Sequence, residues 1–137
     1  MFDTLDISAS GLQAQRTRMD TIAANIANIN STRDADGKPN PFRRRFAVFA
    51  SGLAARGADA AKPGVHVGQI KQDQSPFQER FQPGHPDADA RGIVRYPNID
   101  LSVEFVNALE ASRAYEANIT TMEVTKSMMN ASLRLLA

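Results

Sequence analysis

The last forty residues, 98–137, contain neither proline nor glycine, and this stretch limits what the rest of the chain can be. Leu101, Ala108, Tyr115, Met122, Met129 and Leu136 recur every seven positions, and a second row, Phe105, Ser112, Ile119, Lys126 and Leu133, runs beside them. Spacings of three and four place both rows on one helical face, as in a coiled-coil seam. At 1.5 Å per residue the segment makes a rod of roughly 55 Å. A chain of 137 residues cannot bury so long a seam by itself, so the rod needs a partner. Ser112 and Lys126 interrupt the second row. Either they set register at a cost in stability, or the seam drifts because a straight helix turns every 3.6 residues.

Residues 1–30 read as a second long helix. Leu5, Leu12, Met19 and Ile26 are spaced by seven, and Ile22 and Ile29, with Ala9 and Ala23, fill neighbouring rows. Gly11 is its weak point, since glycine costs about 1 kcal/mol relative to alanine in a helix interior. Asp3 or Thr4 is placed to cap the start. The Asn-, Ser- and Thr-rich run from Asn25 to Thr32 ends it, because these side chains compete for backbone hydrogen bonds.

The middle of the chain is a different material. All seven prolines fall between Pro39 and Pro97, and seven of the eight glycines between Gly37 and Gly92. Formal charge is −1 over 1–32, +4 over 33–97 and −2 over 98–137. Phe42–Phe49 alternates like a strand, and Gly64–Lys71, Phe77–Phe81 and Gly92–Tyr96 supply three more strand candidates. Residues 50–63 are Ala- and Gly-rich and read as a mobile loop. Gln82–Pro86 is dense in turn chemistry. Pro97 stops the last strand, and Asn98 or Asp100 caps the final helix. The expected fold is α+β: two long terminal helices forming a coiled-coil-like tube domain, with a small β-rich insert between them. By this division 1–32 and 98–137 form one discontinuous domain and 33–97 the insert.

Catalysis finds little support in these residues. His85, Asp87 and Asp89 alternate as if to share a metal, but Pro83, Gly84 and Pro86 around them indicate a tight turn, where Asp and His bond the local backbone. His66 reads as a packed or surface residue, and Tyr96 and Tyr115 as packing groups. Arg43, Arg44 and Arg45 split across two strand faces, which favours contact with a carboxylate of another subunit over phosphate gripping. No Ser-His-Asp set, cysteine nucleophile or glycine-rich phosphate loop follows a strand. No catalytic residue, metal or cofactor is expected. With a net charge of +1, nucleic acid is not an expected partner. There is no cysteine, hence no disulfide framework. No run of 18 apolar residues suggests a membrane span or lipid anchor. The opening Met1–Asp6 lacks the basic and apolar regions of a cleaved signal peptide.

Several motifs carry a resemblance that spans nearly the whole chain. Ser10-Gly11-Leu12, Gln15, Met19 and Asn25-Ile26-Ala27-Asn28 resemble the opening of bacterial flagellar axial proteins, those of rod and hook. Gly37, Pro39, Phe42-Arg43-Arg44, Gly64-Val65-His66-Val67 and Asp73-Gln74-Ser75-Pro76-Phe77 resemble the proximal-rod proteins of the FlgC type. So do Pro83-Gly84-His85-Pro86-Asp87-Ala88-Asp89-Ala90-Arg91-Gly92, Tyr96-Pro97-Asn98-Ile99-Asp100 and Ala111-Ser112-Arg113-Ala114-Tyr115-Glu116-Ala117-Asn118. Phe42 departs from the family's usual tyrosine, and residues 34–40 depart from its Gly-Gly-Pro turn.

The resemblance implies a structural subunit of the drive shaft that crosses the periplasm and carries torque from the basal-body ring toward the hook. It implies export through the flagellar type III apparatus without a cleaved signal peptide. Implied partners are copies of itself, other rod proteins, the adaptor at the base of the rod, the membrane ring and the export apparatus. The implied assembly joins terminal helices through the seam residues above. Two alternatives remain: a rod subunit of another position, and a cytosolic coiled-coil adaptor.

Overall fold

The computed structural model describes residues 2–52 and 63–136. Most of the expected loop, 53–62, and the side chain of the expected seam residue Leu136 lie outside the described residues. Two helices frame the chain: α1 spans Phe2–Ala27 and α2 spans Leu101–Leu136. Between them run β1 (Arg45–Ser51), β2 (Val65–Gln72), β3 (Gln78–Phe81) and β4 (Ile93–Tyr96). The strands form two separate antiparallel hairpins, β1–β2 and β3–β4. The first runs from Arg45 opposite Gln72 to Ser51 opposite Val65, with a bulge between Val48 and Phe49. The second pairs Gln78 with Tyr96 and Phe81 with Ile93. This is the α+β plan expected: two long helices with a small antiparallel insert.

The element ends differ from expectation for reasons visible in the backbone. α1 stops at Ala27 because the Asn28 side chain turns back and donates to the Ala24 carbonyl at 2.8 Å. Asp3 and Thr4 lie inside α1, which begins at Phe2, so neither precedes the helix as a cap. β1 begins at Arg45, later than Phe42, since the Phe42 N–H bonds Ser31 O and the Arg44 N–H bonds Asn98 Oδ1. Ala50 and Ser51, assigned to the loop by composition, extend the strand. Of the two proposed caps for α2, Asp100 serves: its Oδ1 accepts the N–H groups of Ser102 and Val103 at 2.8 and 3.3 Å.

α1 and α2 pair antiparallel within one chain. Asn25 meets Glu104, Arg18 meets Glu110, and Gly11 meets Asn118. A Cβ on Gly11 would lie 2.9 Å from Asn118 Nδ2, so α2 approaches α1 closely at this glycine. Continued at the same register, the start of α1 falls near residue 127, and α2 runs on for about two further turns.

The face that α2 turns to α1 is not apolar. Glu104 and Ala111 are buried there, and Asn118, Thr125 and Ser132 follow at the same seven-residue interval, half-buried. On α1, Ser8, Ser10, Gly11, Ala14, Thr21, Ile22 and Asn25 are buried. Small and hydrogen-bonding side chains thus fill the space between the helices. The apolar core lies mainly where the β3–β4 hairpin runs into α2, at Val94, Tyr96, Pro97 and Ile99.

Candidate functional site

A polar joint ties helices to insert. Glu104, in the first turn of α2, has no exposed surface. Its Oε1 accepts from Arg44 Nε at 2.6 Å and its Oε2 from Asn25 Nδ2 at 3.1 Å. Asn25 is itself held in both directions by Arg45, whose N–H donates to Oδ1 at 2.9 Å and whose carbonyl accepts from Nδ2 at 2.7 Å. Those two bonds fix the amide, so Nδ2 must point at Glu104. Asn98 closes the ring: its Oδ1 accepts the Arg44 N–H at 3.1 Å, and its Nδ2 donates to the Asp73 carbonyl at 3.3 Å. Asn98 therefore bridges elements and does not cap α2. Asp73 sits 3.8 Å from Arg44. Its carboxyl is held below the ordinary carboxylate value, first by the Ser75 hydroxyl and then by the Ser75 N–H.

The arginine run also resolves within the chain. Arg44 meets Glu104, Arg43 lies 4.2 Å from the centre of the Phe77 ring, and Arg45 lies 5.0 Å from that of Phe42. The expectation that they meet a carboxylate of another subunit fails for Arg44, whose carboxylate is its own chain's. Ser10 makes a further tie. Its hydroxyl donates to the Ile7 carbonyl at 2.6 Å and accepts the Val65 N–H at 3.1 Å, joining α1 to β2. The ring of His66 hydrogen-bonds the Gly52 carbonyl through Nδ1.

The Pro-Gly-His-Pro-Asp segment is a brace. Asp87 accepts from Thr32 Oγ1 at 2.8 Å and from Arg33 Nε at 2.7 Å, pinning the chain after α1 to the β3–β4 turn. His85 Nδ1 accepts the Asp87 N–H at 3.1 Å. Asp89 Oδ1 accepts the N–H groups of Arg91 and Ile93 at 2.8 and 2.9 Å. The two carboxyls are both held below the ordinary value, by Thr32 foremost at Asp87 and by the Ile93 N–H foremost at Asp89. The Asp87 oxygens serve side chains of the segment after α1 and Asp89 Oδ1 serves local backbone N–H groups, and among the described residues no three His, Asp or Glu side chains converge.

Within this segment Pro83, Gly84 and Pro86 are exposed, and a Cβ on Gly84 would meet nothing. The glycine the turn requires is Gly92. Its φ is +76°, and a Cβ there would lie 3.0 Å from Phe81 and 3.1 Å from Pro83. The sequence marked Gly92 only as part of a motif and a strand start, because φ leaves no trace in composition.

The seam residues fall into three sets. Ile22 is buried; Leu5, Leu12, Met19, Ile26, Ile29, Ala108, Tyr115, Met122 and Met129 are half-buried beside the helix interface. Leu101, Phe105, Ile119 and Leu133 face outward. Phe105 and Leu133 expose 58% and 62% of their surface, and Val103, Val106 and Leu109, outside both sequence rows, expose 49%, 59% and 55%. Among the remaining motif residues, Asn28 secures the end of α1, Arg113 is exposed, and the Gln15 side-chain oxygen is buried without a hydrogen-bond partner among the described residues. No described helix is long and apolar enough to cross a membrane.

Residues 5–33 match the family described as "Flagella basal body rod protein", and residues 90–135 match "Flagellar basal body rod FlgEFG protein C-terminal". The chain is similar over its length to curated proteins named "Flagellar basal-body rod protein FlgC". That of Yersinia enterocolitica is 42% identical over 135 residues, covering 98% of this chain and 97% of the relative. That of Bacillus subtilis is 39% identical over 145 residues, covering 98% and 97%. That of Borreliella burgdorferi is 37% identical over 150 residues, covering 99% and 97%.

Proposed function

The chain belongs to the FlgC family of flagellar basal-body rod proteins and is a structural subunit of the flagellar rod, and we propose that its copies are held in that rod chiefly by the outward faces of the two terminal helices. One observation carries this reading. The inward face of α2 is small and polar, while Val103, Phe105, Val106 and Leu109 stand about half exposed within two turns of one another. Burying the exposed half of each such side chain is worth roughly 1 kcal/mol. One contact of this kind is weak, but a subunit with several neighbours gains it many times over. The outward seam residues Leu101, Phe105, Ile119 and Leu133, with Val103, Val106 and Leu109, are thus surfaces for assembly, and the 33–97 insert, joined through Arg44, Glu104 and Asn25, sets the angle at which the helix pair is presented.

Family membership supports a finer reading. On it the subunit belongs to the proximal, periplasm-crossing part of the rod, is delivered through the flagellar type III apparatus and carries torque without catalysing a reaction. Its neighbours are other rod proteins, the adaptor at the rod base and the membrane ring. A chain without cysteine cannot be cross-linked by disulfides on the way.

The test uses cells lacking their own copy and expressing a tagged chain. Phe105→Asp with Leu109→Asp is expected to remove the protein from purified basal bodies and to abolish motility, while the β-hairpins remain folded in the purified variant. Normal incorporation of that variant would overturn the role given to α2. Delivery has its own readout: the wild-type chain should be lost from the periplasm of cells without a working export apparatus.

A further inference from the structure

On the side of α2 turned away from α1, two rows run side by side. One holds Val106 and Arg113, the other Leu109 and Glu116, and within each the spacing is seven. Val106 and Leu109 are 59% and 55% exposed. Arg113 and Glu116 are also exposed, and neither forms an ion pair with the described residues. Glu110, one turn before Arg113, is already engaged by Arg18 at 3.1 Å. An apolar residue is thus followed, seven positions on, by a free cation in one row and by a free anion in the other.

We propose that this face is the contact between two copies of the chain lying parallel, with Arg113 of one copy paired to Glu116 of the next. The proposal rests on the reading that the chain is a rod subunit assembled through α2. The geometry selects a single stagger. Sliding one copy along the other by three residues, about 4.5 Å, brings Val106 against Leu109 and at the same step Arg113 against Glu116. The match is heterologous, because one row of a copy meets the other row of its neighbour. Each copy is left with an unused row on either side, so the contact propagates instead of closing on a dimer. The coincidence of the two matches selects parallel over antiparallel pairing, since an antiparallel pair would still join Arg113 to Glu116 but would part Val106 from Leu109, and it fixes the axial offset. The apolar pair supplies attraction, and the ion pair supplies register.

Arg113→Glu and Glu116→Arg separate this contact from attraction within one helix. The first variant carries two acids at these positions, the second two bases. Alone, each variant juxtaposes like charges at every copy-to-copy contact. In a mixture the opposite charges meet again, whereas an intrahelical pair stays broken in both proteins. In cells lacking the native gene, each variant alone is therefore expected to lower incorporation into basal bodies at least tenfold. Co-expression of the two is expected to restore at least half of it. The absence of native cysteine allows a direct check: Arg113→Cys with Glu116→Cys should give disulfide-linked ladders of this chain in isolated basal bodies.

Single variants that assemble like wild type, or a mixture no better than either alone, would overturn the proposal. So would cross-links leading only to a different rod protein, which would make that protein the occupant of the face. If the wild-type chain itself were missing from basal bodies, the rod reading would fail first; wild-type incorporation without rescue by the mixture removes only the pairing.

Discussion

Replacing Glu104 by alanine tests whether the polar joint holds the helices to the insert. The carboxylate has no exposed surface and accepts from both Arg44 and Asn25. Breaking a buried ion pair by removing one partner costs about 3–5 kcal/mol, since the other charge is left unpaired. Arg44 is not wholly stranded: its side chain is 21% exposed and Asp73 lies 3.8 Å away. The lower end, about 3 kcal/mol, is therefore expected for Glu104→Ala.

Glu104→Gln keeps the shape but not the pattern. Arg44 and Asn25 both donate to the carboxylate, and the Asn25 amide cannot turn because Arg45 holds both of its ends. The amide introduced by this substitution would then face one donor with a donor, at about 1–3 kcal/mol. Replacing both Arg44 and Glu104 by methionine leaves no buried charge, and Asn25 Nδ2 keeps the Arg45 carbonyl, so most of the loss should be recovered. The assay is urea unfolding of the purified full chain, followed by far-UV circular dichroism in stabilising osmolyte. With a slope near 2 kcal/mol/M, the midpoint should fall by about 1.5 M for Glu104→Ala and return toward wild type in the double variant. A single variant within about 0.3 M of wild type, or a double variant as weak as the single, would show that the joint does not couple the two regions.

Gly92→Ala should destabilise the β3–β4 hairpin by about 1–3 kcal/mol, because φ is +76° and the new Cβ would press on Phe81 and Pro83. Tyrosine fluorescence in a Tyr115→Phe background, which leaves Tyr96 as the emitter, reads this in an unfolding series, and Gly84→Ala, whose Cβ meets open space, is the matched control that should change little. Acid should loosen the insert. Asp73, Asp87 and Asp89 have folded pKa values below their unfolded ones, so their stabilisation is full above the unfolded value and is lost as pH falls through the folded one. The protection of amides in the 31–34 and 85–93 segments, taken against the intrinsic exchange rate at each pH, should therefore fall below about pH 4, and Asp87→Asn should flatten that dependence. Unchanged protection factors across this window would remove the carboxylates as the cause.

The sequence showed that a seven-residue period governs α2. Of the two rows read as a seam, Ala108, Tyr115, Met122 and Met129 lie half-buried beside the interface, while Phe105, Ser112, Ile119, Lys126 and Leu133 lie one residue round from the row facing α1, which is Glu104, Ala111, Asn118, Thr125 and Ser132. The reason is physical. Hydrophobic periodicity finds the face that most wants to leave water, and in a self-contained domain that face is the core. Here the chain packs its helices closely through small and polar groups, around Gly11 and the Asn25–Glu104 bond, and leaves Val103, Phe105, Val106, Leu109 and Leu133 outside. The two helices, the four strands and the turn at Pro83–Pro86 were legible because each follows from local propensity. The joint was not, since Asn25, Arg44 and the Asn98–Glu104 stretch come from three distant parts of the chain, and locally Asn25 reads as a helix end, Asn98 as a cap and Arg44 as a contact for another subunit. The mismatch of one residue carries information of its own. A helix whose strongest apolar rows lie beside its folded interface is built for a second interface. The polar row that replaces them inside can specify how two helices meet without supplying much of the energy that holds them. In the assembly proposed above, pairing within the chain is left shallow and the larger burial is deferred to contact between chains.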